Sequence, residues 1–339
     1  MTTATTVPDA ANAPRKARLS PAARRWITIG AWLVATGMVV AAFHTIGWRK
    51  TFTALARADA RWLALAVLAN LGIIALWALQ TRVFLPRGHH VAYGRLFEVQ
   101  ALTTTATNTA PAGFGEAAGI AALAERGGVG AAAALSVFAQ HHLVEGIAKL
   151  ATITLAARFA PLPPWVHRSL VALTGLVAAA TVALLALAHR ADRPPTDAAP
   201  ATTRLARARA FVRHWASGLV AMRSPVRFAA GLAIALGMKA TEALGWFAVQ
   251  HAFGLSLAAS VPLLALVAVN LASTVSATPG NIGVYEAAAF LIYTRHGASH
   301  DLALATAVTG HLCYLLPMAG LGYLLLSVRG VQNAIRRRS

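Results

Sequence analysis

Apolar residues run along this chain in long blocks separated by short polar stretches. The blocks 26–46, 62–85, 131–157, 166–188, 228–250 and 302–328 each reach the roughly 20 residues that a membrane-crossing helix needs, and they predict six full spans. Two further blocks do not fit that pattern. Residues 96–110 carry Thr103, Thr104, Thr105, Thr107 and Asn108, a run too polar to face lipid. Residues 262–294 are interrupted by Thr278-Pro279-Gly280-Asn281-Ile282-Gly283-Val284-Tyr285-Glu286, and the piece 284–294 is too short to cross a bilayer. Irregular backbone at membrane depth is tolerated only where protein or a wet cavity satisfies it. Both blocks therefore predict re-entrant helical hairpins, near 96–126 and near 262–296.

The two interrupted stretches resemble each other. Pro111 precedes Gly115 by four residues, as Pro279 precedes Gly283. Glu116 lies eleven residues before Gly127, and Glu286 eleven before Gly297. His141 and His311 each follow those glycines by fourteen residues. Matched residue types at matched spacings, with a two-residue offset in the turn, predict an internal duplication of the kind many transporter folds carry. Pro111, Gly115, Pro279, Gly280 and Gly283 are its expected turn residues.

Composition agrees with a polytopic all-α membrane protein. Of the 339 residues, 57% are hydrophobic and 12% charged, against about 25% charged in soluble domains. The net charge of +19 sits in loops and tails, where the positive-inside rule accounts for it without nucleic acid. Residues 1–25 read as a disordered basic cytoplasmic tail and 26–188 as a first membrane half. The block 26–46 is longer than a signal peptide and lacks a small-residue cleavage site. Residues 189–225 form a basic cytoplasmic loop in which Leu205, Ala208, Val212, Trp215, Leu219 and Met222 recur at helical spacing. That pattern predicts an amphipathic helix on anionic inner-leaflet lipids, with an Arg-rich linker as the alternative. Residues 226–328 form the second half and 329–339 a basic cytoplasmic tail. With both termini and the loops 82–95 and 190–227 inside, the two hairpins enter from opposite faces and the repeat is inverted. The basic loop 49–61 would then lie outside, against the rule. Cys313 is the single cysteine, so an intrachain disulfide is excluded.

The candidate chemistry is sparse. Glu116 and Glu286 each fall near the start of a return helix, where a carboxylate answers the helix dipole or lines a central cavity. His141 and His311 lie inside spans at repeat-related positions, as hydrogen-bonded core residues or cavity groups. Lys149 follows Glu145 by four residues and Lys239 precedes Glu242 by three. Each pair can neutralise itself along one helix face, or the lysines can meet an anionic headgroup. Arg126 and Arg295 end the return helices and are expected to snorkel outward. His141, His142 and Glu145 lack the spacing of a metal site, and no catalytic triad, nucleotide loop or cysteine cluster is present. No metal and no cofactor are expected.

The segment from Pro279 to Glu286 resembles the Pro-Gly-Gly-x-Gly-x-Phe-Glu motif of the lysylphosphatidylglycerol synthetase transmembrane-region family, with Asn281 for the second glycine and Tyr285 for the Phe. The segment 111–125 is similar to the partner motif of that family, and the resemblance covers roughly 62–328. It implies a multi-pass protein of the bacterial inner membrane, the flippase half of the multiple peptide resistance factor standing alone. It also implies a lipid flippase or scramblase for a polar-headgroup lipid, in a modified-lipid, glycolipid or hopanoid pathway. No segment is long or soluble enough for the aminoacyl-transferase domain, so lysyl transfer is not expected. The alternatives are an intramembrane enzyme acting on a lipid or polyprenyl substrate, and a non-catalytic partner of a lipid-pathway enzyme, as a homo-oligomer or otherwise.

Overall fold

The computed structural model describes residues 53–110, 113–159, 164–190, 210–212, 215–219, 223–274 and 278–336. The expected tail 1–25, the span 26–46, most of the loop 189–225 with its amphipathic helix, Pro111 and residues 337–339 lie outside the described residues. The described elements are helices: α1 (Ala60–Phe84), α2 (Tyr93–Thr109), α3 (Phe114–Arg126), α4 (Ala131–Ala156), α5 (Pro164–Arg190), α6 (Pro225–Ala252), α7 (Ser260–Thr274), α8 (Val284–Arg295) and α9 (His300–Arg336). A 3₁₀ turn, Pro279–Asn281, stands between α7 and α8. Among the described residues, four stretches are long and apolar enough to cross a membrane: Ala60–Phe84, Leu170–Ala188, Pro225–Ala252 and His300–Val328. Helix α4 has the length, at 26 residues, but its middle carries His141, His142, Glu145 and Lys149. Part of the expected C-terminal tail is helical, since α9 continues to Arg336.

Helices α1 and α6 form an antiparallel pair at the centre. At one end the Asp59 N–H donates to the Ala252 carbonyl at 2.9 Å, and Asp59 caps α1 through the Arg61 N–H at 2.8 Å. At the other end Arg227 Nη1 donates to the Leu85 carbonyl at 3.1 Å. Gly231 lies so close to Phe84 that any side chain there would overlap the ring. Lipid supplies no hydrophobic drive between helices, so small residues and polar bonds hold such pairs.

Helices α2 and α3 also pair antiparallel. Arg126, at the end of α3, forms an ion pair with buried Glu98 near the start of α2. Arg95 Nη1 donates to the Arg126 carbonyl at 3.2 Å. Gly119 backs onto Thr103 and Gly115 onto Thr107, with no room for a Cβ at either. The polar run of α2 is thus packing surface. Thr103, Thr107, Asn108 and Thr109 return their donors to carbonyls four residues back, which removes the cost of burying Thr103 and Asn108. Thr105 donates to the Ala319 carbonyl and accepts the Gly322 N–H, each at 3.0 Å, just past Pro317 of α9. Arg126 is therefore turned back into the protein rather than simply reaching for an interface.

The packing has a regular pattern. Exchanging α1 with α6, α2 with α7, α3 with α8 and α4 with α9 leaves most of the main helix contacts unchanged. Thus α2 packs on α3 and α9, while α7 packs on α8 and α4. Helix α4 meets α6 as α9 meets α1, and α3 meets α4 as α8 meets α9. Helix α5, packed on α4, stands outside the exchange.

Candidate functional site

Where these helices meet they enclose a cavity of about 370 Å³. Its walls come from α1, α2, α4, α6, α7, α9 and the start of α3 and α8. Its most conspicuous feature is a charge network that joins α4 to α6. Lys149 Nζ lies 3.0 Å from Glu145 on α4, and Lys239 Nζ 2.7 Å from Glu242 on α6. Lys239 also sits 3.9 Å from Glu145, so the two pairs form one cluster. Asn270 of α7 completes it, accepting from Lys239 at 3.3 Å and donating to Glu242 at 3.2 Å. Charges at this depth are costly unless paired, and here each ammonium has its carboxylate. Glu145 keeps 36% of its side chain exposed, open to the cavity that it lines.

His141 lines the same cavity from α4. Its Nε2 lies 3.0 Å from the Thr81 hydroxyl and its Nδ1 2.5 Å from Gln80 Oε1. Gln80 is fixed in turn by donation to the Gly231 carbonyl at 2.6 Å, and Thr81 accepts from Gln100 at 2.7 Å. The ring is boxed edge-on by Trp77, Phe84 and Phe138.

His311 sits elsewhere. It is buried on α9, outside the cavity lining, and holds the second turn. Its Nε2 is 2.8 Å from the Gly280 carbonyl and its Nδ1 2.7 Å from Glu286 Oε1. The other oxygen of Glu286 accepts the Gly283 N–H at 2.7 Å, which caps α8. Tyr285, which does line the cavity, stacks on His311 at 4.1 Å and on Trp246 at 5.7 Å. The turn is built on positive φ angles: 62° at Gly280, 58° at Asn281 and 90° at Gly283. Asparagine tolerates the left-handed region better than other side chains, which explains Asn281 in a glycine position.

The first turn is different in detail. Gly113, not Gly115, is its N-cap glycine, at φ 84°. Gly115 lies within α3 at an ordinary helical angle and is needed for the close approach of Thr107. Gly113 stands 170 residues before Gly283, the same interval as Glu116 to Glu286 and His141 to His311. The two-residue offset expected from matching the prolines is therefore unnecessary. Glu116 lines the cavity and makes no hydrogen bond or ion pair among the described residues.

Of the residues expected to form the site, Glu116, His141, Lys149 and Lys239 meet in the cavity, whereas Glu286 and His311 bond each other behind Tyr285. In the sequence Glu145 and Glu242 stand out as neutralisers of the lysines, Glu145 also beside His141 and His142, whereas Gln80, Asn270 and Tyr285 do not stand out as site residues. The 170-residue interval also pairs Gln80 with Gln250 and Gln100 with Asn270, polar residues within apolar helices, and would have exposed them. Among the described residues no cluster of His, Cys, Asp and Glu could hold a metal ion.

A family model described as the lysylphosphatidylglycerol synthase TM region matches residues 27–322, most of the chain. A search of the curated proteins returned no match.

Proposed function

This chain belongs to the lysylphosphatidylglycerol synthase TM-region family, and on that premise we propose that it moves a polar-headgroup lipid between the leaflets of the bacterial inner membrane. The family points to a membrane domain associated with lipid modification or flipping, and the chain is a membrane protein with several apolar helices. The observation that carries the finer reading is the cavity itself. Paired charges, amides and hydroxyls line a space of about 370 Å³ at the junction of the two sets of helices, and of those helices α1, α6 and α9 are long and apolar enough to cross a membrane. Such a space shelters a headgroup while acyl chains remain in lipid. Lipid is then the substrate, and anionic inner-leaflet lipids are partners of the basic loops.

The exchange pattern of helix contacts supports an inverted repeat, with α2–α3 and α7–α8 as hairpins that enter from opposite faces. At 17, 13, 15 and 12 residues, these four helices are shorter than a membrane span. The antiparallel α1–α6 pair sets the ends of α1 and the start of α6 on one side, which we take as cytoplasmic with both termini. A cysteine at Arg87 should then label from the cytoplasm only and one at Leu257 from outside only, with Cys313 replaced. Labelling of both from one face would refute the topology.

Lipid profiling of a deletion strain with leaflet-selective labelling tests the function. One lipid class should collect in one leaflet on deletion, and an unchanged distribution of every class would contradict transport. Intramembrane catalysis, with Glu116 and His141 as acid and base, is the second reading. Formation of a new lipid product by the protein in detergent, where no second leaflet exists, would favour it.

A further inference from the structure

Both ring nitrogens of His311 face groups that can only accept. Nε2 points at the Gly280 carbonyl at 2.8 Å, so it must carry a hydrogen. Nδ1 points at Glu286 Oε1 at 2.7 Å. That carboxylate already accepts the Gly283 N–H on its other oxygen and lies in the first turn of α8, where the helix dipole favours its charged form. A charged carboxylate has no hydrogen to give, so Nδ1 must carry one as well. A neutral imidazole has a single N–H. At His141 the demand is weaker. Gln80 Oε1 accepts at its Nδ1, while the Thr81 hydroxyl at its Nε2 carries one hydrogen that either the ring or the Trp77 carbonyl, 2.9 Å away, can take. A neutral ring is satisfied there when the hydroxyl turns to it, an option that the Gly280 carbonyl and a charged Glu286 do not offer His311.

We infer that His311 and Glu286 form a proton-binding site, and that the bound proton latches the Pro279–Gly283 turn to α9. With the proton present, three bonds run in series from the Gly280 carbonyl through the imidazole and the carboxylate to the Gly283 N–H. Without it, one ring nitrogen presents a lone pair to an acceptor, and that bond becomes repulsive. The turn then loses either Gly280 or the carboxylate that caps α8. Gly280 packs on the backbone of Asn108 in α2, so the latch also governs how the second turn rests on the first pair of helices. Other groups around the site do not supply a replacement. Tyr285 and Tyr314 stack with the ring at 4.1 Å and 6.4 Å, and Cys313 is on the same helix. Helix α6 contributes Trp246 and Glu242, the latter already bonded to Lys239. Helix α7 shares a hydrophobic cluster with Tyr285 through the apolar residues Val261, Leu266 and Val269. The inference needs no assumption about transport; if the chain is a transporter, the latch makes its second turn responsive to protons.

The decisive variant is Glu286→Gln. Its amide can donate to a neutral Nδ1, its oxygen can accept the Gly283 N–H, and Nε2–H can still reach Gly280. All three bonds survive with no extra proton. Thermal unfolding of the full chain in detergent should be followed from about pH 5 to about pH 9. Wild type should lose several degrees relative to Glu286→Gln as pH rises and the proton leaves, because a proton held only by the folded state stabilises it only while bound. Parallel curves for the two proteins would overturn the site. A second measurement requires no variant to fold. In ¹⁵N-histidine spectra of the wild type, the imidazole identified by its contacts with the Tyr285 and Tyr314 rings should carry hydrogen on both nitrogens at the acidic end and on one at the alkaline end. A ring that carries one hydrogen at every pH would overturn the inference equally. Both measurements read the latch alone, so their failure is separate from any failure to move lipid.

Discussion

His141 and His311 sit 170 residues apart at matching places in the two sets of helices, yet they do different work. The first lines the cavity, fixed to α1 by Gln80 and Thr81. The second is sealed behind Tyr285 and holds a turn together through Glu286. Their glutamates divide in the same way. Glu116 faces the cavity without a partner among the described residues, while Glu286 is spent on His311 and the Gly283 N–H. The two sets of helices thus share a packing pattern and differ in chemistry, with cavity-lining groups in the first and a fastening in the second. Lys239 and Glu242 are the second half's own contribution to the cavity, through α6.

The largest expected difference between the halves comes from removing the histidines. His311→Ala strands a partly buried carboxylate and a buried carbonyl, and should cost about 3 kcal/mol, since it breaks a charged pair with one member fully buried. His141→Ala strands only neutral groups, and should cost about 1–2 kcal/mol. Unfolding in detergent checks the order, and a larger loss at His141 would break the division of labour.

The two turns should behave alike in the next test. Gly113 and Gly283 have φ angles of 84° and 90°, so valine at either forces a β-branched residue into the left-handed region. Each should lose about 1–2 kcal/mol, measured as a drop in unfolding midpoint. Gly254, which a loop position alone would mark as tolerant, also has a positive φ of 63° and should share part of that penalty. A neutral Gly113→Val would mean that the first turn does not need its left-handed residue.

The smallest effect on stability should be at Glu116. With no partner to lose among the described residues, Glu116→Gln should change folding by about 0.5 kcal/mol or less. If its charge meets a headgroup, transport should nevertheless fall about tenfold, the equivalent of about 1.4 kcal/mol. Unchanged transport in this variant would remove Glu116 from the contact surface and leave Lys149, Lys239 and Glu145 to carry it.

Helix positions were legible in the sequence because burial in lipid imposes one requirement, continuous apolar length, on each element separately. The predicted 228–250 and 131–157 became Pro225–Ala252 and Ala131–Ala156, and the return helix 284–294 became Val284–Arg295. The polar run of α2 was rightly kept from lipid, but its use as a seam for Gly115, Gly119 and α9 depends on partners distant in sequence. The same limit explains the turn. Matching prolines pointed to Gly115, whereas the helix start, set by backbone angles, selected Gly113. Nor could spacing say that Glu286 would turn toward His311 while Glu116 stayed open, because that depends on which way each return helix rotates against its span.

The central claim, that a headgroup passes through the cavity between the two halves, is tested most directly by leaflet exchange in liposomes. Purified wild type and Gly245→Phe should be reconstituted with a panel of headgroup-labelled anionic, cationic and glycosylated lipids. Gly245 lines the cavity opposite Asn70, where a large ring would fill the space. Wild type should expose the inner-leaflet share of at least one lipid to an external quencher, and the folded variant should leave that share protected. Exchange of no lipid by wild type, or equal exchange by the filled variant, would contradict the account.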